Sequence, residues 1–130
     1  MKIQQNLHQL LDSVPGLNTI LILDPVYATV VKVGDEIRNQ IGLMSATKSV
    51  VDQVKKFSLG SFKSLSLIYN SKQIIVLRVD ILTVFLIAEI SVNGYYLIQL
   101  RDQLQPIVEE CIKASDILRD FEQDKISFPF

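Results

Sequence analysis

The chain has 130 residues, of which 48% are hydrophobic and 21% charged. Roughly 100 to 200 residues supply one hydrophobic core, so a single domain is expected, and the apolar content is too high for a disordered chain. Thirteen basic residues against fourteen acidic ones leave a formal net charge of -1, and no run of Lys or Arg is present to track a phosphate backbone, which removes nucleic acid as an expected partner.

The one cysteine, Cys111, has no internal disulfide partner, and one Cys with one distant His lacks the spacing of a metal finger. A reducing, intracellular setting follows as the expectation. The N-terminal stretch MKIQQNLHQLLDSVPG breaks its apolar residues with Gln, Asn, His and Asp, unlike the apolar core of a signal peptide. The longest strongly apolar run, Ile81 to Ala88, is far short of the ~20 residues that span a bilayer. Direct membrane insertion is not expected, and any residence at a membrane must be conferred by another molecule.

In chain order, Ile3, Leu7, Leu10, Leu11 and Val14 share one face of a predicted helix that Pro15-Gly16 ends. Asn18 to Asp24, NTILILD, is apolar on both faces and predicts a buried strand, and Ala28 to Val33 predicts its returning partner after the Asp24-Pro25 turn. From Ile41 to Phe57 the period becomes helical, with Leu43, Thr47, Val50, Val51, Val54 and Phe57 on one face and Gly60 as the stop signal. Three strands follow without a helix between them: Phe62 to Tyr69, Gln73 to Val79 and Leu82 to Ile90. Their short links, Asn70-Ser71-Lys72 and Asp80-Ile81, force antiparallel neighbours. The last strand is apolar on both faces until Glu89 and belongs near the middle of the sheet. Asn93 is placed to cap a long helix from Gly94 to Leu118, which carries Leu97, Leu100, Leu104, Ile107, Val108, Cys111 and Ile112 inward. Pro106 lies inside it, and an interior proline removes a hydrogen bond at a cost of ~3 kcal/mol, so a kink or break near Gln103 is expected.

The order is α-β-β-α-β-β-β-α. Strands apolar on both faces need cover on both sides, which predicts an α/β sandwich: one five-stranded antiparallel sheet with helices on both faces. Residues 1–118 form the expected domain, and 119–130 a C-terminal tail with no assigned role.

No residue set predicts catalysis, a cofactor or a metal. His8 sits on an amphipathic helix with no nucleophile nearby and is read as a surface or boundary histidine. Cys111, on the apolar side of its helix, is read as a buried, inert thiol. Glu109 and Glu110 point about 100° apart on a helix and read as a solvated face. G-x-x-x-x-G-K-S/T, G-x-G-x-x-G and H-E-x-x-H are absent. Lys63, Arg78 and Arg101 are isolated charges with no more specific expectation than solubility.

Four segments carry a resemblance: L-L-D-S-V-P-G-L (Leu10 to Leu17), L-G-S-F-K-S-L-S-L-I-Y-N (Leu59 to Asn70), L-T-V-F-L-I-A (Leu82 to Ala88) and L-Q-P-I-V-E-E (Leu104 to Glu110). In this order and spacing the chain resembles the roadblock (profilin-like) family, and within it the kinase-scaffold branch found in Ragulator complexes. The first hairpin, D-P-V-Y-A, departs from the pattern by lacking a glycine, and the C-terminal tail is longer. The resemblance implies a sheet order of two, one, five, four, three and pairing of the strand up to Tyr69 with a second roadblock-fold subunit, the second helix alongside. Leu43, Thr47, Val50, Val51, Val54, Leu65, Leu67 and Tyr69 are then the candidate partner interface. Charge at Val51 or Leu67 is expected to abolish pairing with the fold retained. Further implied partners are other Ragulator subunits including a lipid-anchored one, Rag GTPases and a MAP kinase kinase, on late endosomes or lysosomes. The alternative is a homodimeric roadblock regulator of a small GTPase.

Overall fold

The computed structural model describes residues 2–56 and 64–115. The expectations for Phe57, Gly60, Phe62 and Lys63, for the last helix beyond Ser115 and for the tail lie outside these residues, as does the side chain of Val54.

Helix α1 (Lys2–Ser13) buries Leu7 and Leu10 and gives way at Gly16, φ +90°, to β1 (Leu17–Leu23) and β2 (Thr29–Gly34). At Gly34, φ +100°, an added Cβ would fall 2.2 Å from the Asn18 carbonyl oxygen, so only glycine fits where β2 closes on β1. Helix α2 (Gln40–Lys56) precedes β3 (Ser64–Tyr69), β4 (Lys72–Val79) and β5 (Leu82–Ala88). Asn70 and Ser71 both take left-handed φ, 52° and 64°, the geometry of a two-residue hairpin turn.

The sheet is antiparallel throughout, ordered β2-β1-β5-β4-β3, as the sequence and its resemblance predicted. β5 lies at the centre and is buried along its whole length. Alternation sends its side chains to two cores. Val84, Leu86 and Ala88 join Ile20, Ile22, Ile75 and Leu77 beneath α1 and the C-terminal helices, while Phe85 and Ile87 join Leu21, Leu23, Leu43, Ile74 and Val76 beneath α2. Helices thus cover both faces.

The C-terminal helix is divided, but not where its proline predicted. It is two segments, α3 (Gly94–Gln99) and α4 (Arg101–Lys113), broken at Leu100 rather than near Gln103. Asn93 caps α3 as predicted, its side chain accepting from the amides of Tyr95 at 2.9 Å and Tyr96 at 3.3 Å. Pro106 stays inside α4. The missing amide leaves the carbonyl of Asp102 without its helical donor, and Asp102 is exposed to water. Beside the break, the Arg101 guanidinium donates to the carbonyl of Arg78 on β4, which ties the start of α4 to the sheet.

Candidate partner interface

The sheet has two margins, β2 and β3, each hydrogen-bonded on one side only among the described residues. β3 pairs with β4 from Ser64 opposite Leu77 to Tyr69 opposite Lys72, so its other row of amides and carbonyls faces away from the sheet. Leu65, Leu67 and Tyr69 are half-buried and pack on the core beneath α2. Ser66 and Ile68 point to the opposite face, where Ile68 is 62% exposed.

α2 presents its sequence-predicted residues unequally. Leu43, Thr47 and Val51, spaced by four, face the sheet, and each is 1% exposed. The Thr47 hydroxyl is satisfied by donating 2.9 Å to the Leu43 carbonyl. Val50 lies off this stripe and is 38% exposed. Ala46, one turn earlier, is half-buried, and Gly42, one turn earlier again, adjoins the Tyr69 hydroxyl of β3. Gly42, Ala46 and Val50, spaced by four, therefore share one flank of the helix, whose first turn adjoins β3. Periodicity alone merged this flank with the inward stripe. The corrected expectation concerns charge at Val51: a carboxylate there would be buried without a partner and would unfold the chain rather than only unpair it.

The start of α2 is fixed by Asn39, which takes a left-handed φ of 55°. Its Oδ1 accepts from the Gly42 amide at 3.1 Å and its carbonyl accepts from the Leu43 amide at 3.1 Å. Its Nδ2 donates to the Tyr69 hydroxyl at 3.2 Å. Sequence reasoning missed Asn39, whose only signal was its position two residues before the periodic stretch. Tyr69 also walls a cavity of about 240 Å³ with an apolar floor of Leu43, Ile74 and Ile87 and a rim that includes Arg38 and Lys72.

Other residues weighed from sequence take structural places. His8 is exposed on α1. Cys111 is buried, and burial, with Glu110 adding to it, pushes its thiol up to about 11, which suits an inert side chain rather than a nucleophile. Arg78 is half-buried beside Tyr27. Among the described residues no group of three or more His, Cys, Asp or Glu could hold a metal ion, and no helix is long and apolar enough to cross a membrane.

A five-stranded sheet of this order, layered by helices and open at β3 beside α2, is the roadblock fold. The roadblock/LC7 domain from Streptomyces avermitilis superposes with a TM-score of 0.61 at 14% identity, covering 82% of this chain and 97% of that one. Myxococcus xanthus MglB superposes at 0.63 with 14% identity, covering 85% and 97%. The family model described as mitogen-activated protein kinase kinase 1 interacting matches residues 1–115, and the chain belongs to that family. Among its relatives, the Ragulator complex protein LAMTOR3 of Mus musculus is 30% identical over 115 residues, 85% of this chain and 93% of that protein. The protein of the same name from Tetraodon nigroviridis is 30% identical over 119 residues, 88% and 96%.

Proposed function

We propose that the chain is a non-catalytic scaffold subunit of a Ragulator-like complex, and that residues 1–118 pair with a second roadblock-fold subunit through β3 and α2. The observation that carries this reading is the margin itself. Among the described residues β3 has an unpaired row of backbone groups and half-exposed leucines, and α2 carries the flank of Ala46 and Val50, whose first turn adjoins β3 at Tyr69. An open edge templates another strand, and small residues on the adjoining helix let a partner helix approach closely. Family membership and relatives named as Ragulator proteins support the choice of partner.

In this reading Val50, Leu65 and Leu67 meet the partner, while Leu43, Thr47 and Val51 act indirectly by seating α2, and Tyr69 by holding its start. The paired unit recruits Rag GTPases and a MAP kinase kinase to the cytoplasmic face of late endosomes or lysosomes, where a lipid-anchored subunit of the complex holds it. The test is co-purification from cells of the wild type beside Val50→Asp and Leu67→Asp. Recovery of a roadblock-fold chain with the wild type and its loss with both variants, each still folded by circular dichroism, is the expected result. Recovery of no roadblock-fold chain would sink the reading, and a self-paired chain that alters the turnover of a small GTPase would favour the homodimeric regulator instead.

A further inference from the structure

We infer that Asn39, Gly42 and Tyr69 form a lock that sets how α2 lies over the edge strand, and that this lock, rather than direct contact, is what Tyr69 contributes to pairing. The inference rests on the edge-pairing reading above and deepens it.

The two halves of the proposed interface, on α2 and on β3, lie on different layers, so their relative placement needs a tie. Asn39 supplies one. The same side chain caps α2 through Oδ1, 3.1 Å from the Gly42 amide, and reaches the end of β3 through Nδ2, 3.2 Å from the Tyr69 hydroxyl. Gly42 completes it by absence of bulk: an added Cβ would fall 2.4 Å from both Asn39 Nδ2 and the Tyr69 hydroxyl. Such a separation is too short for any Cβ, so a side chain at 42 must displace the Asn39 amide and the Tyr69 hydroxyl and part the contact between them. The ring of Tyr69 meanwhile packs on the core under α2, so helix cap, strand end and core meet at one side chain. Because Gly42, Ala46 and Val50 lie along one flank, a small rotation of α2 at its first turn changes where Val50 stands relative to the β3 margin. Pre-setting that geometry before the partner arrives lowers the ordering cost of association.

The test uses the full chain and, as probe, the roadblock-fold chain recovered with it, made recombinantly. Tyr69→Phe removes the hydroxyl and keeps the ring. Asn39→Ser keeps a cap and loses the reach to β3. Each is expected to weaken pairing about fivefold, as loss of one hydrogen bond of ordinary strength does, and to speed amide exchange at Gly42 and Leu43 with β1 and β5 unchanged. Gly42→Ala, which displaces both partners of the same contact, is expected to weaken it by a similar factor, about fivefold. Asn39→Asp restores wild-type pairing, since its carboxylate caps α2 and accepts from the Tyr69 hydroxyl. Wild-type pairing by Tyr69→Phe and Asn39→Ser, in an experiment where Val50→Asp abolishes it, overturns the lock and leaves the edge reading standing. Wild-type pairing by Val50→Asp and Leu67→Asp overturns the edge reading and the lock with it.

Discussion

Asp24 closes the first hairpin onto Ala28. One carboxylate oxygen, Oδ1, accepts from the backbone amides of Val26 and Ala28, both at 2.9 Å, while the Asp24 amide donates to the Ala28 carbonyl at 2.9 Å. Inside this ring Tyr27 takes φ 67°, a conformation that costs a non-glycine residue on the order of 1 kcal/mol and that the side-chain acceptor offsets. Asp24→Ala is therefore expected to destabilise by ~1–2 kcal/mol in urea unfolding with an unchanged slope, and Asp24→Asn by less than ~0.5 kcal/mol, because an amide oxygen makes the same turn. Equal stability of Asp24→Ala and the wild type would refute the role of the carboxylate.

Thr83 on β5 is fully buried, and its Oγ1 has no hydrogen-bond partner among the described residues. A buried hydroxyl without a partner carries a desolvation penalty of roughly 1–3 kcal/mol. Valine has the same branched shape and no polar atom. Thr83→Val should raise the unfolding free energy by ~1 kcal/mol, and a lower thermal midpoint for the variant would count against the accounting.

Much of this architecture was legible because it is local or forced by burial. The double-faced apolar text of Leu82 to Ala88 could only sit mid-sheet, and the short links at Asn70 and Asp80 left no room for anything but hairpins. What escaped depended on contacts distant in sequence. Leu97, Leu100 and Leu104 keep a helical period straight through the break at Leu100, and Leu100 itself has φ −65° and ψ −10°, so the apolar pattern does not mark the division, beside which Arg101 is tied to Arg78. On α2, periodicity put Val50 and Val51 on one face. The sheet and the Asn39–Tyr69 contact then turned Val51 inward and left Val50 outside. The missing glycine of the first hairpin had its substitute in Asp24, a residue read only as part of a turn.

Alkaline pH should unfold the chain partly through Cys111 and Tyr27. Burial pushes the thiol from 9.0 up to about 11. It also pushes the Tyr27 phenol from 10.0 up to about 12, with Asp52 adding to the rise and Arg78 opposing it. Both groups are neutral acids in the folded state, so between the unfolded and folded values the unfolded chain binds fewer protons and stability falls as pH rises. For Cys111 that window runs from 9.0 to about 11. Cys111→Ala should lose some packing at neutral pH yet show a shallower decline across this window, by about 3 kcal/mol at most. Parallel pH curves for the two proteins would show that the thiol is not the group responsible.

Acid acts through a different contact. Lys72 Nζ lies 2.7 Å from Glu89 Oε1 and 3.2 Å from Asn18 Oδ1, joining the start of β4 to the segment after β5 and to β1. The hydrogen bond from Lys72, then its charge, holds the Glu89 carboxyl below its ordinary 4.5, with a smaller contribution from Asn18. A lowered folded value means that the stabilisation is fully present above 4.5 and disappears as pH falls through the lower folded value, because the unfolded chain takes up the proton first. Glu89→Gln should therefore unfold at slightly lower urea than the wild type at pH 7, and the two midpoints should converge in acid. The pair is open to solvent, so the gap at pH 7 should also narrow in 1 M salt, where the screening length falls to about 3 Å. A gap that persists unchanged into acid and high salt would assign the effect to packing of the glutamate stem instead of to its charge.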